Sequence, residues 1–254
     1  MSQMAARKTK SGGIAETIRT IVYAVLIAVG IRSFAYEPFN IPSESMLPTL
    51  LVGDYLFVSK FTYGYSRYSL PFGLPLIPGR VFEGTPERGD VIVFKLPSDN
   101  STDYIKRVIG LPGDRVQMKG GALYLNGQAV PRRQIEDYVH RDDWGQSRRD
   151  RQYIETLPNG KSYRILEQSD TTETDDTIEF LVPAGHYFMM GDNRDNSMDS
   201  RIRPDRRGVG YVPAVNLVGR ADFLFFSHDG SARFWEIWNW PFAIRFSRMF
   251  SAVK

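Results

Sequence analysis

Twelve consecutive uncharged residues, Thr20–Ile31 (TIVYAVLIAVGI), stand between Arg19 and Arg32 and constrain this chain more than any other feature. A run this apolar must be buried in a core or placed in lipid. Widened to Ile14–Tyr36 it has 23 residues, with charges only toward its two ends, where long Arg side chains can snorkel to headgroups. One transmembrane anchor over residues 14–36 is expected. The alternative is a cleaved signal peptide, with Ala28-Val29-Gly30 as a small-x-small site. Arg7, Lys8, Lys10, Arg19 and Arg32 against Glu16 alone give residues 1–36 a net +4. The whole chain carries +3, so the remainder carries −1. The basic excess reads as topology: residues 1–13 as a cytoplasmic tail, residues 37–254 on the outer side. A nearly neutral body argues against nucleic-acid binding.

Beyond the anchor the chain is built of short β-branched runs, Asp54–Lys60, Asp90–Leu96, Tyr104–Ile109 and Glu179–Pro183. Turn signals such as Leu111-Pro112-Gly113-Asp114 separate them, and Asn126-Gly127 marks a hairpin within Leu123–Val130. The expected fold is mainly β, an antiparallel β-sheet catalytic core over residues 37–115 and 180–232 with a β insertion at 116–179. Residues 132–179 hold twelve of the 29 acids, which suggests a solvated insertion. Tyr63–Gly79, rich in Tyr, Leu, Pro and Gly, reads as a long loop near the membrane. Residues 233–254 form an aromatic C-terminal segment. Phe242, Phe246 and Phe250 recur at helical spacing, which fits a helix on its own core, a membrane-interfacial segment, or both. With no cysteine, a disulfide scaffold, a zinc ribbon and a thiol nucleophile are excluded.

Candidate nucleophiles lie directly after the anchor, in Ile41–Leu50 (IPSESMLPTL), where two prolines stiffen a turn holding Ser43 and Ser45. A serine needs a base. The three histidines, His140, His186 and His228, adjoin no Gly-x-Ser-x-Gly elbow. Lysines are scarce, eight against 24 arginines, so a lysine inside a strand carries weight. Alternation in Tyr104–Ile109 puts Lys106 on one face and Arg107 on the other, so one cation must face an apolar side. A buried lysine can become a neutral amine near pH 7 and serve as a base, whereas a strand lysine otherwise snorkels to solvent. Gly191–Arg201 (GDNRDNSMDSR) lacks the ligand ladder of a calcium loop and reads as a hydrogen-bonded turn carrying Ser197. No metal and no cofactor is expected.

Four blocks in order, Pro42–Leu50, Arg88–Lys95, Tyr104–Asp114 and Gly191–Arg201, resemble the type I signal peptidases, membrane-anchored bacterial proteases with a serine–lysine dyad. The resemblance implies that Ser45 is the nucleophile and Lys106 its general base. It implies an oxyanion hole from the Ser45 N–H and the Ser43 hydroxyl. Ser197 would orient Lys106, with Asp199 and Arg201 as a supporting ion pair. Phe39, Ile41, Pro42 and Ile105 match positions lining shallow pockets for small residues, which implies cleavage after small-x-small. Glu44 stands where many relatives carry Gly, and a second N-terminal span found in many relatives is not seen.

The implied activity is removal of signal peptides from exported preproteins at the bacterial inner membrane, near the export translocon and in contact with lipid. Other readings are a serine–lysine peptidase dedicated to one partner, an anchored β scaffold that binds without cutting, and a histidine-based hydrolase using His186.

Overall fold

A computed structural model describes residues 13–141, 146–233 and 235–254. The expected basic tail, all but residue 13, lies outside the described residues, as do 142–145 of the charged stretch. Helix α1 spans Ile14–Phe34, and its 21 residues make about 31 Å at 1.5 Å each, the thickness of a bilayer core. It is apolar enough to cross a membrane, and no part of its apolar window is buried. The helix stops two residues short of the expected boundary. Tyr36 already pairs with Ser59, and Ala35 O accepts from Lys60 N–H, so the sheet claims the chain there.

The strands follow in chain order. β1 (Tyr36–Asn40) and β2 (Asp54–Ser59) precede a small ribbon of β3 (Tyr65–Ser66) and β4 (Arg80–Val81). β5 (Val91–Lys95) and β6 (Asp103–Gly110) form a hairpin. β7 (Arg115–Lys119), β8 (Ala122–Leu125) and β9 (Gln128–Ala129) lead into β10 (Arg132–Gln134), β11 (Tyr138–Arg141), β12 (Ser147–Thr156) and β13 (Ser162–Glu167). After these come β14 (Phe180–Leu181), β15 (His186–Met190), β16 (Val212–Pro213) and β17 (Leu217–Ser227).

The main sheet is antiparallel, in the order β1-β2-β17-β5-β6-β15-β16. Pro38 costs β1 no ladder bond on its outer side, because β1 is an edge. Two four-stranded sheets make up the insertion, one of β10 to β13 and one in the order β14-β7-β8-β9. β14, expected with the main core, instead pairs with β7 through Phe180↔Val116. The Asn126-Gly127 hairpin turn has both residues at positive φ, as a tight two-residue turn requires.

The insertion is less solvated than its acid content suggested. Val116, Met118, Leu123, Leu125, Tyr153 and Ile165 pack in one buried cluster with Ile109 of β6 and Phe188 of β15. Acid content counts charges and not the apolar cluster beneath them, so composition did not reveal the interior. The helical spacing of the C-terminal phenylalanines is also misleading. The only α-helix there among the described residues is α2 (Trp240–Ala243), and the chain then returns extended beside β17, with Val253 N–H donating to Asp222 O. Tertiary ties override the periodicity: Arg248 binds Asp54 at 2.5 Å and Phe250 adopts positive φ. The aromatics are consequently exposed, Trp238 by 67% and Phe242 by 85%.

Candidate active site

Ser43 and Ser45 sit in the connection between β1 and β2. Its ends are closed by bonds from Ile41 N–H to Asp54 O and from Gly53 N–H to Ile41 O. Its middle is pinned to the stretch after β15: Asn193 N–H donates to Ser45 O at 3.1 Å, and the Asn193 side chain donates to Glu44 O. The Ser45 N–H has no acceptor among the described residues, and the Ser43 and Ser45 hydroxyls lie 3.5 Å apart. Two donors are therefore available beside Ser45 Oγ.

Lys106, four residues into β6, places Nζ 2.6 Å from Ser45 Oγ and donates to Ile105 O at 3.0 Å. It is 3% exposed, and no carboxylate forms an ion pair with it among the described residues. Burial pulls its pKa down from 10.5 to about 8, partly opposed by Asp199 and Asp192 and reinforced by Arg201. The next residue behaves differently. Arg107, 1% exposed, holds Asp192 with two bonds at 2.8 and 2.6 Å and lies 4.1 Å from the Tyr163 ring. Asp192 also accepts from Thr49 Oγ1, so one carboxylate ties β6 to the serine turn. Alternation required one buried cation; the structure buries both.

Asp199 and Arg201 form a fully buried pair at 2.9 Å, and Asp199 also accepts from Gly191 N–H. Burial raises the Asp199 pKa, but Arg201 and the Gly191 N–H outweigh it and hold the carboxyl below its usual range. Ser197 makes no hydrogen bond to Lys106 in this arrangement; its buried hydroxyl turns toward the Asp199 carboxylate without a hydrogen bond of standard geometry. It packs on Gly191, where an added Cβ would come within 2.2 Å of Ser197 Oγ. A side chain at 191 would push Ser197 off, which explains the glycine.

Phe39, Ile41, Pro42 and Ile105 line a cleft of about 510 Å³ together with Ser43, Ser45, Lys106 and Ser197. β1 and β6 are separated by three strands in the sheet yet both face this cleft, so the sheet curls around it. β15 pairs with β6 only over residues 107–110, which leaves the edge at 103–106 open to the cleft. No histidine lines it. His186 Nδ1 contacts its neighbour Ala184 O, and His228 Nδ1 accepts from Gly230 N–H. The histidine-hydrolase reading therefore lacks a site. Sequence reading also missed Arg107, Asp192, Asn193 and Thr49 as the scaffold of the site. The buried-cation argument held the clue, because a buried Arg demands a carboxylate.

Comparison with known proteins places the chain in a family. Residues 14–226 match the family described as "Signal peptidase, peptidase S26". Signal peptidase I of Rickettsia typhi is 40% identical over 222 residues, covering 84% of this chain and 81% of the relative. That of Rickettsia canadensis is 41% identical over 221 residues, covering 84% and 80%. A solved signal peptidase I from Enterococcus faecalis V583 is 26% identical and covers 54% of this chain and 96% of its own, with a TM-score of 0.31. A match over most of the chain, joined to about 40% identity with curated relatives, means that the chain belongs to the signal peptidase family, peptidase S26.

Proposed function

We propose that this protein is a membrane-anchored serine endopeptidase that removes N-terminal signal peptides from exported preproteins, with Ser45 as nucleophile and Lys106 as general base. The single observation that carries the reading is the 2.6 Å approach of a buried lysine to Ser45 Oγ without any carboxylate paired to that lysine. Neutral Lys106 takes the Ser45 proton as Oγ bonds to the scissile carbonyl carbon. The resulting oxyanion accepts from the Ser45 N–H and the Ser43 hydroxyl; one such donor typically contributes about 10²–10³ in rate. The Lys106 ammonium then protonates the departing amine, leaving an ester on Ser45. Water attacks that ester, giving its proton to Lys106, and Ser45 regains a proton as the new carboxylate leaves.

The substrate lies extended along the open 103–106 edge of β6 and the Phe39–Pro42 wall, adding a strand. The shallow apolar lining from Phe39, Ile41, Pro42 and Ile105 suits Ala, Gly or Ser before the cut, hence small-x-small. Ser197 stands at the cleft wall, where its hydroxyl turns to Lys106 once substrate rearranges the site. The Asp199–Arg201 pair stiffens that wall. α1 anchors the protein in the bacterial inner membrane with its start cytoplasmic and the β domain outside, near the translocon. Exposed Trp235, Trp238, Phe242 and Phe246 contact lipid headgroups.

Purified protein in detergent should cleave a preprotein with Ala at the first and third positions before the cut, and a serine-directed acylating probe should label Ser45. Ser45→Ala and Lys106→Ala should each abolish cleavage while leaving the melting curve cooperative. Cleavage retained by either folded variant would refute the dyad. Binding without cutting in the unmodified protein would instead favour the anchored scaffold.

A further inference from the structure

Away from the dyad, three carboxylates from separate segments converge. Glu167 ends β13, Asp175 lies in the loop that follows, and Asp195 belongs to a single helical turn after β15. One oxygen of each lies within 4.8 Å of the others. Glu167 and Asp175 are both 0% exposed. Among the described residues, neither oxygen of Glu167 and not Oδ1 of Asp175 has a hydrogen-bond partner. The remaining oxygens are occupied: Asp175 Oδ2 accepts from Thr172 N–H, and Asp195 accepts from the Gln168 and Ser169 N–H groups and the Thr172 hydroxyl. Nearby guanidinium groups make no hydrogen bond to these carboxylates: Arg194 pairs with Glu155 at 2.5 Å, its Nε left without a partner among the described residues, and Arg132 donates to Gly121 O. Buried carboxylates with no donor are costly, and the arrangement calls for a positive charge.

Its size and chemistry are readable. Two oxygens held at 2.3–2.6 Å by one calcium ion lie at most about 5 Å apart, a bound the three oxygens here meet, whereas magnesium keeps several waters for which two fully buried carboxylates leave little room. All donors are oxygen, with no sulfur or imidazole, which selects a hard cation. Gly121, at φ +70°, closes one side: an added Cβ would approach Glu167 Oε1 to 2.7 Å. Asp195 and Thr174 also line the catalytic cleft, which supplies an entry path.

We propose that Glu167, Asp175 and Asp195 bind a divalent cation of calcium size, which fastens the loop after β13 to the segment leading into Ser197. The ligands come from three separate stretches, so no calcium-loop ladder exists in the sequence.

The test uses the full chain in detergent near pH 8, melted after chelation and again with millimolar calcium or magnesium chloride. Calcium should raise Tm by roughly 5 °C or more and magnesium by less, with calorimetric titration giving a single site. Glu167→Gln should melt at or above the metal-free protein and lose the calcium shift. If that variant fails to fold, Asp195→Asn, at the half-buried rim, should show the same loss. No calcium shift in the unmodified protein, or an undiminished shift in these variants, would overturn the site. Neither readout depends on cleavage, so this inference and the serine–lysine reading stand or fall separately.

Discussion

Lys106 and Arg107 are neighbours on one strand, both buried cations, with opposite fates. Arg107 meets the carboxylate of Asp192 through two bonds, and this pairing, set against burial, holds its charge more firmly than usual. Lys106 meets a hydroxyl and a carbonyl instead, and burial brings its pKa to about 8. Burial alone does not make a base. What separates the two is whether a carboxylate is in contact, and alternation along β6 aims one side chain at the Asp192 side and the other at Ser45.

The largest effect should come from abolishing this difference at Lys106. Lys106→Arg keeps the cation but cannot release its proton near neutrality, so kcat/KM on a preprotein should fall by about 10³-fold or more. Appreciable turnover in that variant would mean that the charge matters and the base does not. On the other side, Asp192→Asn leaves Arg107 unpaired and should cost about 3–5 kcal/mol in urea unfolding. Replacing both partners, Arg107→Met with Asp192→Leu, should recover much of that loss; no recovery would assign Asp192 a role beyond balancing Arg107.

Next in size is stability gained by deleting the buried lysine. The folded chain holds Lys106 at about 8 and an unfolded lysine titrates near 10.5, so below pH 8 both states are protonated and the full cost of the buried ammonium persists. Lys106→Met should then be more stable near pH 7 by up to about 3 kcal/mol. Between pH 8 and 10.5 only the unfolded chain binds the proton, the unmodified protein gains stability as pH rises, and the advantage of the variant should shrink. An advantage that stays constant in paired melts across that range would show that Lys106 carries no such shift.

The smallest effect concerns the pH profile. Lys106 acts as a base when neutral, so kcat/KM should rise with pH through an acid limb near 8. Asp199 raises the Lys106 pKa, so folded Asp199→Asn should move that limb down by roughly a few tenths of a pH unit. A limb that moves upward would break the assignment.

Much of the fold was legible because its signals are local. Strands Asp54–Ser59, Val91–Lys95 and Asp103–Gly110 lie within or close to the β-branched runs that announced them, and Asn126-Gly127 marked its hairpin. The C-terminal segment misled because helical spacing of three phenylalanines competes with the Arg248–Asp54 pair and the pairing of Val253 with Asp222, contacts distant in sequence. The insertion misled because acid content counts its outer faces, not the cluster it shares with Ile109 and Phe188. At the site, the two serines and the strand lysine could be named from the residues, but the mate of Arg107 and the turning of the Ser197 hydroxyl away from Lys106 could not.

By itself the amino-acid sequence determined that an apolar helix leads into a β domain, where turns fall along it, and which hydroxyl and amine groups are present to react. Periodicity and turn chemistry act over a few residues, and a one-dimensional reading captures them. Only the tertiary structure decided that Lys106, not Arg107, faces Ser45, and that Glu167, Asp175 and Asp195 meet. Those outcomes depend on burial and on partners brought together from separate stretches of the chain, and a side chain's charge state follows from what surrounds it in space.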